Sequence, residues 1–330
     1  MGIAIVSVVA GVVPMLLYPL FLYWMDRFEK EPLGLLLAVF AWGFVPAAVF
    51  SLITQVILDV PLFLLDETGT LSNLVGASII APITEEFFKG LAVWLIYLIW
   101  RREFDGVFDG IIYGSLVGFG FAAIENILYF LSLGADPTVI VLRAFVFGLN
   151  HAFYTSLTGI GFGIARHTRG WLGRQVAPLL GLMAAMGAHS LHNLTVSLAD
   201  QYPGLFFAAI VADYAGIFFV LVVMILALRR ERAWIMEQLG EEVGFRTLSE
   251  KQYHVAYSPM RRFGIRVNAL ASAGLNGYMQ TGRFFRTLTE LAYSKHAYAR
   301  RGEAGAQSAR IQELRALAAA LSAELAATFS

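Results

Sequence analysis

Cysteine is absent from all 330 residues. That excludes disulfides, thiolate metal sites and cysteine nucleophiles, and leaves the redox compartment undefined. Charge is scarce: Asp, Glu, Lys and Arg make up 15% of the chain against 58% hydrophobic residues, a balance that a solvated globule of this length does not show. No Gly-x-Ser-x-Gly elbow, Ser–Lys arrangement or His-Glu-x-x-His occurs, so the serine-hydrolase and zincin sites are missing. There is no pair of membrane aspartates in separate motif contexts, no low-complexity repeat and no nucleic-acid motif. The first apolar run has no Lys or Arg before it and no small-residue cleavage site after it, so it is expected to be a retained span.

What the chain does have is apolar length. Mean hydropathy is +0.66, and seven runs reach the roughly 20 residues that cross a hydrocarbon core: about 3–25, 33–58, 71–100, 110–133, 138–165, 175–199 and 204–228. Only Gly134-Ala135-Asp136-Pro137, a good turn sequence, separates the fourth from the fifth. The fold expected is therefore all-α, a polytopic bundle over residues 1–228 followed by a basic, mostly helical tail over 229–330.

Basic residues set the orientation. Arg27 and Lys30, Arg101 and Arg102, then Arg166, Arg169 and Arg174, and finally Arg229, Arg230 and Arg232 mark alternate ends of the runs. The other loops, around Asp59–Glu67, Asp136 and Asp200, carry none. The N-terminus is expected outside and the tail in the cytoplasm, in a multi-pass membrane protein. Up to Leu228 there are 9 Lys+Arg against 15 Asp+Glu; from Arg229 on the counts are 15 against 9. A basic tail suits an anionic lipid surface better than DNA. Gly264, Gly274, Gly277 and Gly282 are expected to interrupt it, and Glu303–Phe329 reads as a helix with Ile311, Leu314, Leu317, Leu321 and Leu325 at helical spacing.

Within the third run stands Pro82-Ile83-Thr84-Glu85-Glu86-Phe87-Phe88-Lys89. Each such charge at bilayer depth costs roughly 2.5–3.5 kcal/mol on insertion scales, so three together need a use. Lys89 is four residues from Glu85 and three from Glu86, within reach of both on a helix. The two carboxylates point about 100° apart, so one can be held in structure while the other faces a reacting centre. Pro82 frees a backbone carbonyl one turn earlier. Further polar groups follow: Phe121-x-x-x-Glu125-Asn126, Asn150-His151 with Tyr154, Thr155 and Thr158, and His189-x-x-His192-Asn193. Counted from the basic or acidic inner border at about 1.5 Å per residue, Glu85, Glu125, His151, His189 and Asp213 all lie at one level, 15 or 16 residues in. A carboxylate among imidazoles in a dry layer suggests hydrolysis, the acid activating water and the donors polarising a carbonyl. Glycines at 110, 114 and 118, and at 159 and 163, are expected to serve close helix packing.

The ordered set Glu-Glu-x-x-Lys, Phe-x-x-x-Glu-Asn, an intramembrane His and His-x-x-x-Asn resembles the PrsW family of intramembrane proteases, distant kin of the CAAX prenyl endopeptidase and bacteriocin-processing superfamily. Asp26-Arg27-Phe28-Glu29-Lys30-Glu31-Pro32 and Asp109-Gly110-Ile111-Ile112-Tyr113-Gly114 add to the likeness, which covers about residues 1–228. The prenyl endopeptidases have His where this chain has Glu125. The resemblance implies an endopeptidase acting on a single-span membrane protein, an anti-sigma factor for instance, near its extracytoplasmic boundary. Glu85, Glu86, Glu125, His151, His189 and Asn193 are then the expected catalytic set, with Lys89, Asn126, His192 and Asp213 in support. Zinc on Glu85, Glu125, His151 and His189 and a metal-free water activation both remain open, the second being slightly favoured. A proton- or ion-coupled transporter and a non-catalytic partner-binding protein are the alternatives.

Overall fold

The computed structural model describes all residues except 1, 29, 67, 68, 169, 302–305 and 330, so Glu29, Glu67, Arg169 and Glu303 lie outside the described residues. Every regular element among the described residues is helical: α1 (Gly2–Met25), α2 (Leu33–Trp42), α3 (Ala48–Leu65), α4 (Thr70–Val75), α5 (Ala81–Ile99), α6 (Val107–Ser132), α7 (Pro137–Val141), α8 (Asn150–His167), α9 (Trp171–Ser197), α10 (Gly204–Gly244), α11 (Glu250–Ala256), α12 (Pro259–Arg301), α13 (Ala306–Glu324), then a short 3₁₀ turn. Wide π-type turns join α2 to α3 (Gly43–Ala47), join α4 to α5 (Gly76–Ile80) and follow α7 (Leu142–Val146).

The chain divides into two compact units, residues 1–25 with 31–225, and residues 26–30 with 226–330. Five helical stretches that lie in the first, or start in it, are long and apolar enough to cross a membrane: Gly2–Met25, Leu33–Pro61, Val107–Ser132, Pro137–His167 and Gly204–Gly244. Two more helices have crossing length, α5 with 19 residues and α9 with 27. They are less apolar because α5 carries Glu85, Glu86 and Lys89, and α9 is diluted by glycine, histidine, serine and asparagine. The Gly134–Pro137 turn separates α6 from α7 as expected. Gly134 and Ala135 take positive φ (69° and 57°), and the Asp136 carboxylate accepts from the Thr138 and Val139 amides. The fifth run is not one helix, however. It breaks at residues 147–149, between the wide turn and α8.

The hub is α6. Its apolar window is 83% buried, against 22–33% for the other four candidate spans, which leave broad apolar faces outward for lipid. Small residues allow this burial. The Gly110 and Gly159 backbones touch so closely that a methyl on Gly159 would lie 1.8 Å from the Gly110 carbonyl oxygen. Two turns on, a methyl on Gly118 would lie 2.3 Å from the His151 carbonyl oxygen. The glycine stripes thus zip α6 to α8 and bring Glu125 and His151 to the same level.

The second unit has its own core, built on Ile235, Leu239, Leu248, Phe284, Phe285, Leu288, Ile311, Leu314 and Leu321. Ile311, Leu314, Leu321 and Leu325 are buried as the spacing predicted, with Leu317 packed at the edge. Fully buried Glu242 anchors it by accepting two 2.8 Å bonds from Arg315 and one from Lys295. Of the four glycines expected to interrupt the tail, only Gly274 does so, at φ 65° and ψ −159°; helix runs on through Gly264, Gly277 and Gly282. Helix propensity disfavours glycine by only about 1 kcal/mol, which packing overrides.

Gly159→Ala is expected to lower the melting temperature of the detergent-held protein, since overpacking of this kind costs about 1–3 kcal/mol. Gly187→Ala, where a methyl meets nothing within 4 Å, should leave it near the wild-type value. Indistinguishable melting of the two variants would contradict the close α6–α8 approach.

Candidate functional site

The site is built outward from α5. Glu86 has no exposure and accepts three hydrogen bonds: from Lys89 Nζ at 2.7 Å, from Thr155 Oγ1 at 3.0 Å and from His189 Nδ1 at 3.0 Å. These donors sit on α5, α8 and α9. Glu85, on the adjoining face, is held more loosely, by Lys89 at 3.4 Å and by Gln55 Nε2 at 3.4 Å. With Nδ1 of His189 donating to Glu86, its Nε2 keeps a lone pair, 3.9 Å from Glu85 Oε2.

Lys89 is the charge at the centre. Its ammonium touches both carboxylates, lies 3.1 Å from His151 Nδ1 and rests 4.0 Å over the Phe121 ring, which explains the phenylalanine of the Phe-x-x-x-Glu-Asn motif. If Lys89 donates to His151 Nδ1, the ring proton stands on Nε2, which lies 2.7 Å from Glu125 Oε2 in a charge-pair contact. Glu125 also pairs with Arg143 at 3.0 Å, and Asn126 accepts from Arg143 Nε at 3.2 Å. Five expected residues, Glu85, Glu86, Glu125, His151 and His189, therefore meet around Lys89.

Three others stand apart. His192 and Asn150 bind Asp213 at 2.7 and 2.9 Å, and the Tyr154 hydroxyl donates to it at 3.2 Å. This second cluster meets the first through the Tyr154 ring, stacked on His189 at 4.8 Å. Asn193 does not enter the carboxylate cluster at all; its Nδ2 donates to the Ala77 carbonyl at 2.8 Å. The cause is local. In the wide turn the Ala81 amide reaches back five residues to Gly76, and the next amide in that register would serve Ala77. The next residue is Pro82, which has none.

Glu85, His151 and His189 each offer a ligand atom within 4.8 Å of the other two. The donor set suits zinc, which favours imidazole and carboxylate, and each imidazole has a carboxylate behind it as metal-bound histidines do. Glu125 is not in this group; it backs His151 instead. Arg143, Gln55 and Thr155 contribute contacts that sequence reasoning did not assign. An arginine inside a run otherwise apolar was the available signal for the first.

Residues 31–228 match the family described as PrsW family intramembrane metalloprotease. The chain belongs to the PrsW family. It is 32% identical over 157 residues to Protease PrsW of Geobacillus kaustophilus, covering 48% of this chain and just under two thirds (65%) of that relative. To the Bacillus subtilis Protease PrsW it is 29% identical over 167 residues, 49% of this chain and 69% of the relative. No solved structure matches the chain. The match to PrsW proteases begins at Glu31, which accepts from the Tyr113 hydroxyl, while Asp109 caps α6 by accepting from the Asp105 and Gly106 amides. Glu31 and Asp109, one from each supporting signature, thus have structural work at the start of α6, about four turns from Glu125. The family's description as metalloproteases and the three candidate ligands that converge here support a metal, against the slight preference for a metal-free site.

Asn193→Ala should cost roughly 1–3 kcal/mol, the range for a carbonyl left unpaired away from water. In a Pro82→Ala background the restored amide can serve Ala77, and the same substitution should cost much less. Equal losses in both backgrounds, read by thermal melting, would break the link between this asparagine and the proline.

Proposed function

We propose that the chain is a seven-span intramembrane endopeptidase, with its N-terminus outside and its tail in the cytoplasm, cutting a single-span membrane protein near the extracytoplasmic boundary. An anti-sigma factor is one substrate of that class. The observation that carries the proposal is a loosely held carboxylate, Glu85, facing an imidazole nitrogen with its lone pair available, beside a second carboxylate, Glu86, that three donors hold fast.

Glu85 takes a proton from water as the oxygen attacks the scissile carbonyl carbon, and returns it to the departing amine. The Lys89 ammonium, beside Glu85, meets the negative charge that develops on the carbonyl oxygen where little water competes. Glu86 holds both Lys89 and His189 in place. Glu125 with Arg143 fixes the His151 ring. Asn193 acts through the backbone at Ala77, in place of the carbonyl-polarising role first expected of it. His192 and Asp213 support Tyr154 behind His189. A metal, held by Glu85, His151 and His189, would supply a water of lowered pKa and polarise the carbonyl. Glu85 would then be a ligand, and Lys89 would yield the His151 lone pair.

Purified protein reconstituted with a tagged single-span substrate should release a cut fragment, and Glu85→Gln should reduce the rate by about 10²–10⁴, the range for a lost general base. Full cleavage by that variant would end the proposal. Absence of any fragment with the wild type would favour a partner-binding protein, and ion flux in proteoliposomes a transporter.

Elemental analysis provides a separate check on the metal. Bound zinc should be present in the wild type and in Asn193→Ala, and be lost in His151→Gln and His189→Gln. Equal zinc in all four samples, or none in any, would remove these residues as ligands.

A further inference from the structure

The second unit carries an exposed apolar edge that its own core does not use. Along the first leg of α12, Met260, Phe263, Val267 and Leu270 fall on one helical face and are 41–74% exposed. The opposite face, with Arg262 and Ala269, is buried. After Gly274 the second leg begins with Leu275 and Met279, 71% and 61% exposed. A left-handed φ of 65° at Gly274, open to glycine without strain, turns the chain between the legs. They run close enough that a methyl on Gly277 would lie 2.7 Å from the Ala269 carbonyl.

Charge on this hairpin has one sign. From Lys251 to Thr289 there are six Lys+Arg and no Asp or Glu. Arg261 is exposed about 100° round the helix from Met260. Arg266, stacked on Tyr278 at 4.0 Å, stands at the border of the apolar face. Exposed Arg283 and Arg286 continue the stripe that Leu275 and Met279 begin. The acids nearby are taken up elsewhere: Glu290 pairs with Arg310 and Glu324 accepts from Gln280. An apolar stripe accompanied by arginines is the composition of a helix lying in a lipid interface, its side chains among the acyl chains and its guanidinium groups at the phosphates.

We propose that the Gly274 hairpin of the C-terminal unit is a membrane-surface anchor that inserts Phe263, Leu270, Leu275 and Met279 into an anionic bilayer leaflet. Charge complementarity selects that occupant over an acidic soluble partner, because six large apolar side chains accompany the arginines. The helix carrying the unit, α10, runs unbroken over 41 residues from an apolar window into Arg229, Arg230 and Arg232, so the unit starts at a bilayer surface. That the surface is the anionic inner leaflet rests on the tail-inside orientation proposed above.

The chain has no cysteine, so single-cysteine variants of the full-length protein carry one label each. Leu275→Cys and Met279→Cys, with Ala316→Cys on α13 as control, would bear a polarity-sensitive fluorophore. The protein would be held in nanodiscs of phosphatidylcholine alone or mixed equally with phosphatidylglycerol. In the mixed lipid the 275 and 279 labels should shift to the blue and be quenched by spin-labelled acyl chains. Both effects should fall in pure phosphatidylcholine, and in the Arg261→Glu, Arg283→Glu, Arg286→Glu triple variant, whose melting temperature checks its fold.

Water-like emission in the mixed lipid would overturn the proposal. So would a blue shift without quenching, which marks cover by protein, a second copy included. Quenching indifferent to lipid charge and to the triple substitution would overturn the anionic-surface assignment. Nanodiscs expose both leaflets, so the result does not depend on tail orientation or on cleavage. Orientation is read separately, from reaction of a Ser308→Cys variant with a membrane-impermeant thiol reagent in intact cells.

Discussion

The constraint on which the first unit depends is the burial of the Glu86 carboxylate. With no exposure, it can remain charged only if its acceptor positions are filled, because an ionised group left unpaired in a low-dielectric interior is penalised heavily. Three donors from three helices do this: Lys89, Thr155 and His189. Satisfying one carboxylate therefore fixes how α5, α8 and α9 meet. It also fixes which nitrogen of His189 bears the proton, and so leaves the other facing Glu85. The glutamate next to it differs in kind. Glu85 has longer contacts and a lone-pair nitrogen opposite, which is what a proton-transfer or metal-binding group requires. Neighbouring residues of one type take different roles because a helix turns them about 100° apart.

Much of this arrangement was legible because depth could be counted along unbroken helix. Glu125 lies with Asp109 in α6, His151 with Arg166 in α8, and His189 with Arg174 in α9. The break at residues 147–149 falls on the far side of His151 and did not disturb the count. Where backbone irregularity enters, sequence reasoning lost its hold. Arg143 lies in the wide turn before that break, which a continuous helix would have placed differently relative to Glu125. Asn193 was read by its spacing from His189. Its partner is a carbonyl that only the combination of a π-type turn and Pro82 leaves unpaired. In the tail, glycine content suggested interruptions. Of the four glycines expected to break it, packing kept helix through Gly264, Gly277 and Gly282 and not through Gly274, whose φ a side chain would resist.

The two helices of crossing length in the first unit that fall outside the strongly apolar set, α5 and α9, are the ones that supply Glu85, Glu86, Lys89 and His189. Local propensity for lipid and the requirements of the site oppose each other there, and the conflict is resolved by neighbours. α8 covers Glu86 with Thr155, α6 places Phe121 under Lys89, and α2 contributes Trp42, whose Nε1 donates to the Phe88 carbonyl at 2.9 Å. The outward-facing apolar helices free the inner ones from having to be apolar.

The wide turn at Gly76–Ile80 then acquires a definite meaning. A π-type turn holds one residue more than an α-turn, so everything after it is rotated by about 100° relative to what came before. That is the angle separating Glu85 from Glu86. Relative to α4, the extra residue decides which carboxylate is buried against Thr155 and His189 and which is left with the looser contacts. The same turn creates the unpaired Ala77 carbonyl that draws Asn193 of α9 toward α5. Register and helix docking are thereby coupled: a chain that closed the turn to α-geometry would move the carboxylates round the helix and remove the acceptor that holds α9 in place.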